Sequence, residues 1–180
     1  MKLYQVLFWE SLQNLPMILG FMIAARIRTQ SFLLALFVLL LGIVGGNVIM
    51  HFTEYKLHET PVKSSITGTL VNIIMFTVLA IPFLFYFTVD TRWINWKTDI
   101  LFGVVVGVLM TAGQTTVWEG PKSRMVIHGA AMAASFPLIM LGIRYALRVH
   151  SWGLFLLSGF MIVILGSLVI VLIDYRKMIK

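Results

Sequence analysis

Cysteine is absent from this 180-residue chain, and charged residues are scarce at 12%. Without cysteine, the chain cannot use thiol catalysis, form disulfides, or hold a Cys-ligated zinc ion or iron–sulfur cluster. An average soluble domain carries about 25% charged residues, roughly twice the fraction found here. Low-complexity segments and linkers are also lacking, so residues 1–180 are predicted to form a single domain.

Hydrophobic residues make up 59% of the chain and are gathered into six long runs. A helix needs about 20 apolar residues to cross the hydrocarbon core of a bilayer. The runs have this length and do not alternate between apolar and polar residues, which excludes barrel strands of about 10 residues. We therefore predict an all-α integral membrane protein, one polytopic domain with six transmembrane helices at 3–25, 31–50, 66–88, 99–118, 125–143 and 152–173.

The net charge of +7 resides in the connections between the apolar runs. Lys and Arg in such positions contact anionic lipid headgroups, so the expected partner is the lipid bilayer and not nucleic acid. The side that holds both termini carries eight of the 14 basic residues, and the other side carries six. This imbalance favours cytoplasmic termini, and the plasma membrane is the expected location.

Two short polar segments, "ETPVKSS" at 59–65 and "EGPKSR" at 119–124, resemble each other and each joins two apolar runs. The odd-numbered runs each contain a proline, at Pro16, Pro82 and Pro137. The even-numbered runs each contain a small residue followed by a polar one, about 30 residues after these prolines. The spacing suggests three helical hairpins, repeated in parallel about an axis along the membrane normal.

Polar side chains inside the apolar runs are the candidates for ligand binding. A proline within a helix frees a backbone carbonyl and bends the helix, so three bent helices are expected to open a central polar cavity. Alternatively, Glu10 lies in the headgroup layer, the amides form hydrogen bonds between helices, and His128 is a hydrogen-bonded interfacial residue. The candidate ligand-binding residues are Glu10, Gln13, Asn14, Asn47, Asn72, Gln114 and His128.

A second polar group, His51, Glu54 and His58, has the spacing i, i+3, i+7, which places all three on one face of a continuing helix. Two imidazoles and a carboxylate are ligands that zinc accepts, with an open position for a reactive water. The pattern is not H-E-x-x-H, however, and Lys56 lies among the acids. We expect no metal at this site, and no residue pattern predicts a cofactor.

Stretches of small residues at 20–25 and 129–135 allow helices to approach closely, either within the chain or against a partner membrane protein or a second copy. Three functions follow from these patterns: a small-solute transport or substrate-binding component, a membrane-embedded metal-dependent hydrolase, and a non-catalytic subunit that packs with other membrane proteins. In size and number of spans the chain resembles the membrane-embedded substrate-binding subunits of energy-coupling-factor vitamin transporters, which would imply solute binding.

Overall fold

The protein is a bundle of six α-helices in a computed structural model, which contains no strand among the residues it describes. These residues are 2–57, 66–86, 95–114 and 122–174, with 54–57, 66–68 and 113–114 described as backbone. The helices are α1 (Leu3–Ile27), α2 (Phe32–Leu57), α3 (Ile66–Tyr86), α4 (Trp96–Gln114), α5 (Lys122–Leu147) and α6 (Trp152–Asp174).

The six predicted helices are confirmed, and the architecture is that of a helical membrane protein. Five of the helices, all except α4, are long and apolar enough within the described residues to cross a membrane. Helix α4 spans 19 described residues and carries Asp99 in its first turn. Helix α2 departs most from its prediction of 31–50, because it ends at Leu57. Helix α5, predicted at 125–143, begins at Lys122 and ends at Leu147. Arg144 therefore lies within α5 and not in the following turn.

Side chains at two connections explain where the next helices begin. Asn95 accepts hydrogen bonds through Oδ1 from the backbone N–H groups of Lys97 (2.9 Å) and Thr98 (3.3 Å), at the start of α4. Ser31 accepts one through Oγ from the N–H of Leu34 (3.3 Å), at the start of α2. Such caps satisfy N–H groups that have no partner inside the helix. They let short turns lead directly into the apolar segments.

The helices form a closed ring in chain order, in which each contacts the next and α6 contacts α1. Helix α1 also contacts α3 and α5 across the ring. The predicted hairpins α1–α2 and α5–α6 are both closely packed. The middle pair α3–α4 is packed less closely, and α4 has its main contact with α5. The bundle therefore does not consist of three equivalent hairpins.

Glycines opposite prolines account for the closest helix contacts. A Cβ atom added to Gly42 of α2 would lie 2.7 Å from the carbonyl oxygen of Pro16 in α1 and 2.9 Å from Cα of Gly20. A Cβ atom added to Gly103 of α4 would lie 2.6 Å from Cα of Pro137 in α5. Because no side chain separates the backbones there, the α1–α2 and α4–α5 pairs approach more closely than larger residues would allow.

Candidate functional site: a cavity within the bundle

A cavity lies between α1, α3, α4, α5 and α6. Its volume is about 50 Å³. The lining consists mainly of Phe, Met, Ile and Val side chains, among them Phe76 and Phe83 of α3 and Met140 of α5. The polar lining residues are Asn14 and Ser135. The cavity is thus an apolar space with polar groups contributed by two helices, α1 and α5.

Asn14 connects the cavity to a polar network between α1 and α6. Its Nδ2 atom donates to the backbone oxygen of Glu10 (3.0 Å), to Oε1 of Glu10 (3.1 Å) and to Oγ of Ser167 (3.3 Å). Glu10 is 6% exposed and Ser167 is 1% exposed. Glu10 lies seven residues into α1, about 10 Å along the helix axis from its start. The Glu10 side chain is therefore enclosed by the bundle.

His128 and Asp174 are within hydrogen-bonding distance where α5 begins and α6 ends, with 2.8 Å between His128 Nδ1 and Asp174 Oδ2. The Asp174 side chain is fully buried and that of His128 is 15% exposed. His128 and Ser135 are seven residues apart on α5, and Ser167 and Asp174 are seven apart on α6, so each pair shares a helix face. The His128–Asp174 contact therefore lies about two turns from the Asn14–Ser167 contact, toward the side of the termini.

Two of the other predicted ligand-binding residues, Gln13 and Asn47, form hydrogen bonds with a neighbouring helix or with their own helix. Gln13 Nε2 donates to Thr53 Oγ1 of α2 at 2.6 Å, and Asn47 Nδ2 donates to the carbonyl of Ile43 at 2.9 Å. Asn72 is buried, and its Oδ1 has no hydrogen-bond partner among the described residues. The Gln114 side chain lies outside the described part.

Among the candidates whose side chains the structure describes, Asn14 lines this cavity. Contacts between helices offer partners to amides, and Gln13 accordingly donates to Thr53 of α2. The ligand-binding role of the seven candidates stays a prediction.

The predicted metal-binding pattern is partly outside the described residues, since His58 and the side chain of Glu54 are not included. His51 Nδ1 lies 3.3 Å from Thr69 Oγ1 of α3, a hydrogen-bonding distance. Within the described residues, no group of three His, Asp or Glu side chains could hold a metal ion. The expectation that this pattern holds no metal stays a prediction.

A charged cluster at the opposite end of the bundle was not predicted from the sequence. Asp99 is fully buried and accepts from Tyr86 (Oη–Oδ1, 2.7 Å) and from Arg144 (Nη2–Oδ1, 2.7 Å; also Nε–Oδ2). The Tyr86 ring stacks on Phe102 with centroids 4.2 Å apart. The cluster joins α3, α4 and α5 one turn beyond the cavity residue Phe83. The available signal was a pair of opposite charges at adjoining ends of consecutive antiparallel runs.

Arg26 makes a second connection at this end, between α1 and the turn that precedes α6. Its guanidinium donates to the carbonyl oxygens of Val149 (2.7 Å) and His150 (2.6 Å). It also lies 4.4 Å from the centroid of the Trp152 ring. A cation over an aromatic face is attracted by the ring quadrupole. Arg26 therefore connects the end of α1 to the turn between α5 and α6, and its guanidinium group has a structural role.

Comparison of the chain with known protein families, curated proteins and solved structures finds no match. The similarity in size and span count to vitamin-binding subunits therefore carries no argument, and the functional conclusion rests on the site itself.

Proposed function

We propose that the protein is a small-solute binding component of a membrane, which holds a largely apolar molecule in its central cavity for transport. The observation that carries this proposal is the cavity enclosed by α1, α3, α4, α5 and α6, with Asn14 and Ser135 among its lining residues. Ligand sites are typically apolar clefts with a few placed polar groups, and in bundles they lie between the helices. The cavity has both properties.

The position of the cavity also supports binding from or through the bilayer. It lies between the His128–Asp174 pair on the side of the termini and the Tyr86–Asp99–Arg144 cluster on the other side. Polar groups held at membrane depth cost free energy unless they are paired, and they commonly mark substrate pathways. We further propose a plasma-membrane location with both termini in the cytoplasm, following the excess of basic residues on that side.

The alternative function, a subunit that packs against partner membrane proteins, depends on small-residue helix faces. Several of these small residues already pack against other helices of the same chain. Gly20 meets Gly42, and a Cβ atom on Gly107 would lie 2.8 Å from Cα of Ala133. Ala24 and Ala131 are fully buried. Internal packing accounts for these residues, so solute binding is the function we favour.

Filling the cavity tests the proposal. Val106 of α4 lines the cavity and is 7% exposed, whereas its neighbour Val105 is 44% exposed on the outer surface. We expect Val106→Phe to remove binding of a small apolar probe, 4-fluoroanisole, measured by fluorine NMR of the protein in lipid nanodiscs. Val105→Phe adds the same volume outside the cavity and should leave binding unchanged. Equal binding by both variants and the unmodified protein would show that the probe only partitions into lipid.

A further inference from the structure

The polar end of the cavity presents hydrogen-bond acceptors. Asn14 donates through Nδ2 to three oxygen atoms, two of them on Glu10. The backbone carbonyl of Glu10 can only accept, so the amide nitrogen has to face Glu10 and the amide oxygen has to face away. This leaves Asn14 Oδ1 without a hydrogen-bond partner among the described residues, on a side chain that borders the cavity.

Ser135 adds a second acceptor at the same end. It is fully buried, lines the cavity, and uses its hydroxyl proton on the carbonyl oxygen of Met132 at 3.2 Å. Its lone pairs remain available to a donor. The seven-residue spacings of His128 to Ser135 and of Ser167 to Asp174 place Ser135 at the level of Ser167, which Asn14 contacts. The two acceptors therefore lie at similar depth on facing helices.

The neutral character of the described lining residues argues against an ionised ligand. None of the described residues that line the cavity is charged. An anion would find no cation among them and would meet the Glu10 carboxyl group behind Asn14. A cation would be separated from that carboxyl group by the Asn14 amide. An ion moved from water into such an apolar space loses more solvation free energy than these neutral groups return.

Taking these observations together, we infer that the cavity selects a neutral molecule with an apolar body and one hydroxyl or N–H donor at its end. The donor binds Asn14 Oδ1 and Ser135 Oγ, and the body lies among side chains such as Phe76, Phe83 and Met140. This inference rests on the proposed function. It adds the chemical class of the ligand and the direction in which the ligand lies, with its polar end toward the side of the termini.

A matched pair of probes tests the inference: 4-fluorophenol, which has a donor, and 4-fluoroanisole, in which a methyl group replaces the donor hydrogen. Binding of each is measured by fluorine NMR with the protein in nanodiscs, and signals from Val106→Phe nanodiscs give the lipid background. We expect 4-fluorophenol to bind about tenfold more tightly, because the anisole leaves buried acceptors unpaired. Asn14→Leu should abolish this preference, and Ser135→Ala should reduce it severalfold.

The outcomes separate this inference from the proposed function. If both probes bind equally well to the unmodified protein and both are lost in Val106→Phe, the cavity binds solutes but does not select a donor, and the inference is overturned. If Val106→Phe changes neither signal, the proposed function itself fails. Should Asn14→Leu not fold, as judged by circular dichroism, Ser135→Ala decides alone, because it removes one oxygen atom. An unchanged preference in Ser135→Ala would then contradict the role of Ser135.

Discussion

At the scale of single residues, the Asp99–Arg144 pair connects the first turn of α4 to the last turn of α5. Asp99 is fully buried, and Arg144 reaches it with two nitrogen atoms while keeping 22% of its side chain exposed. A two-point contact between guanidinium and carboxylate is the strongest geometry that such a pair adopts. Removing one partner leaves the other charge buried without a counter-charge. The resulting loss in the free energy of unfolding is therefore larger than the net stabilisation that the intact pair provides.

We therefore expect Arg144→Gln to reduce the free energy of unfolding by about 3–5 kcal/mol, as is typical when a buried pair is broken. Arg148→Gln is the matched control, since Arg148 lies one turn later and is exposed. Thermal unfolding in detergent, followed by circular dichroism, compares them. Adding Asp99→Asn to Arg144→Gln should recover part of the lost stability. A melting temperature of Arg144→Gln equal to that of Arg148→Gln would contradict the assigned role.

At the scale of helices, packing depends on glycines at the crossing points. Gly42→Ala should destabilise the protein, because the added Cβ atom would lie 2.7 Å from the Pro16 carbonyl oxygen and the α1 and α2 backbones would have to separate. Gly45→Ala is the control in the same helix, because its Cβ atom would meet Pro16 Cβ at an ordinary 3.4 Å. Alanine favours a helix over glycine by about 1 kcal/mol, so Gly45→Ala should be neutral or stabilising.

Melting temperatures of the two glycine variants, measured in the same detergent, give the comparison. A decrease for Gly42→Ala with none for Gly45→Ala is the expected result. An increase in both would mean that helix preference outweighs the close contact, and the crossing would then be looser than the structure indicates.

The helices themselves follow from the sequence, whereas the cavity lining does not. Long apolar runs identify spanning helices because lipid excludes unpaired backbone groups. They do not reveal which face turns inward, because lipid and the bundle interior are both apolar. Phe83 and Phe85 are indistinguishable by type, yet Phe83 is 7% exposed and Phe85 is 53% exposed. The pairing of Asp99 with Arg144 could have been predicted, because the two opposite charges lie at adjoining ends of consecutive antiparallel runs.

At the scale of the whole molecule, we expect all six helices to cross the membrane, which would place both termini on the same side. The absence of native cysteine makes a single introduced thiol unique. Cysteine introduced at position 2 or 178 should react with an impermeant maleimide from the same side of sealed vesicles. Ser151→Cys, exposed in the turn between α5 and α6, should react from the other side. Labelling of positions 2 and 178 from opposite sides would require an odd number of spans.

The buried Asp99 also has a consequence for how the chain is built. During synthesis α4 leaves the ribosome before α5, so Asp99 emerges 45 residues ahead of the arginine that neutralises it. A lone carboxylate within a helix is costly in hydrocarbon. We therefore expect α4 to gain its full stability in the bilayer only after α5 has packed beside it and Arg144 has paired with Asp99.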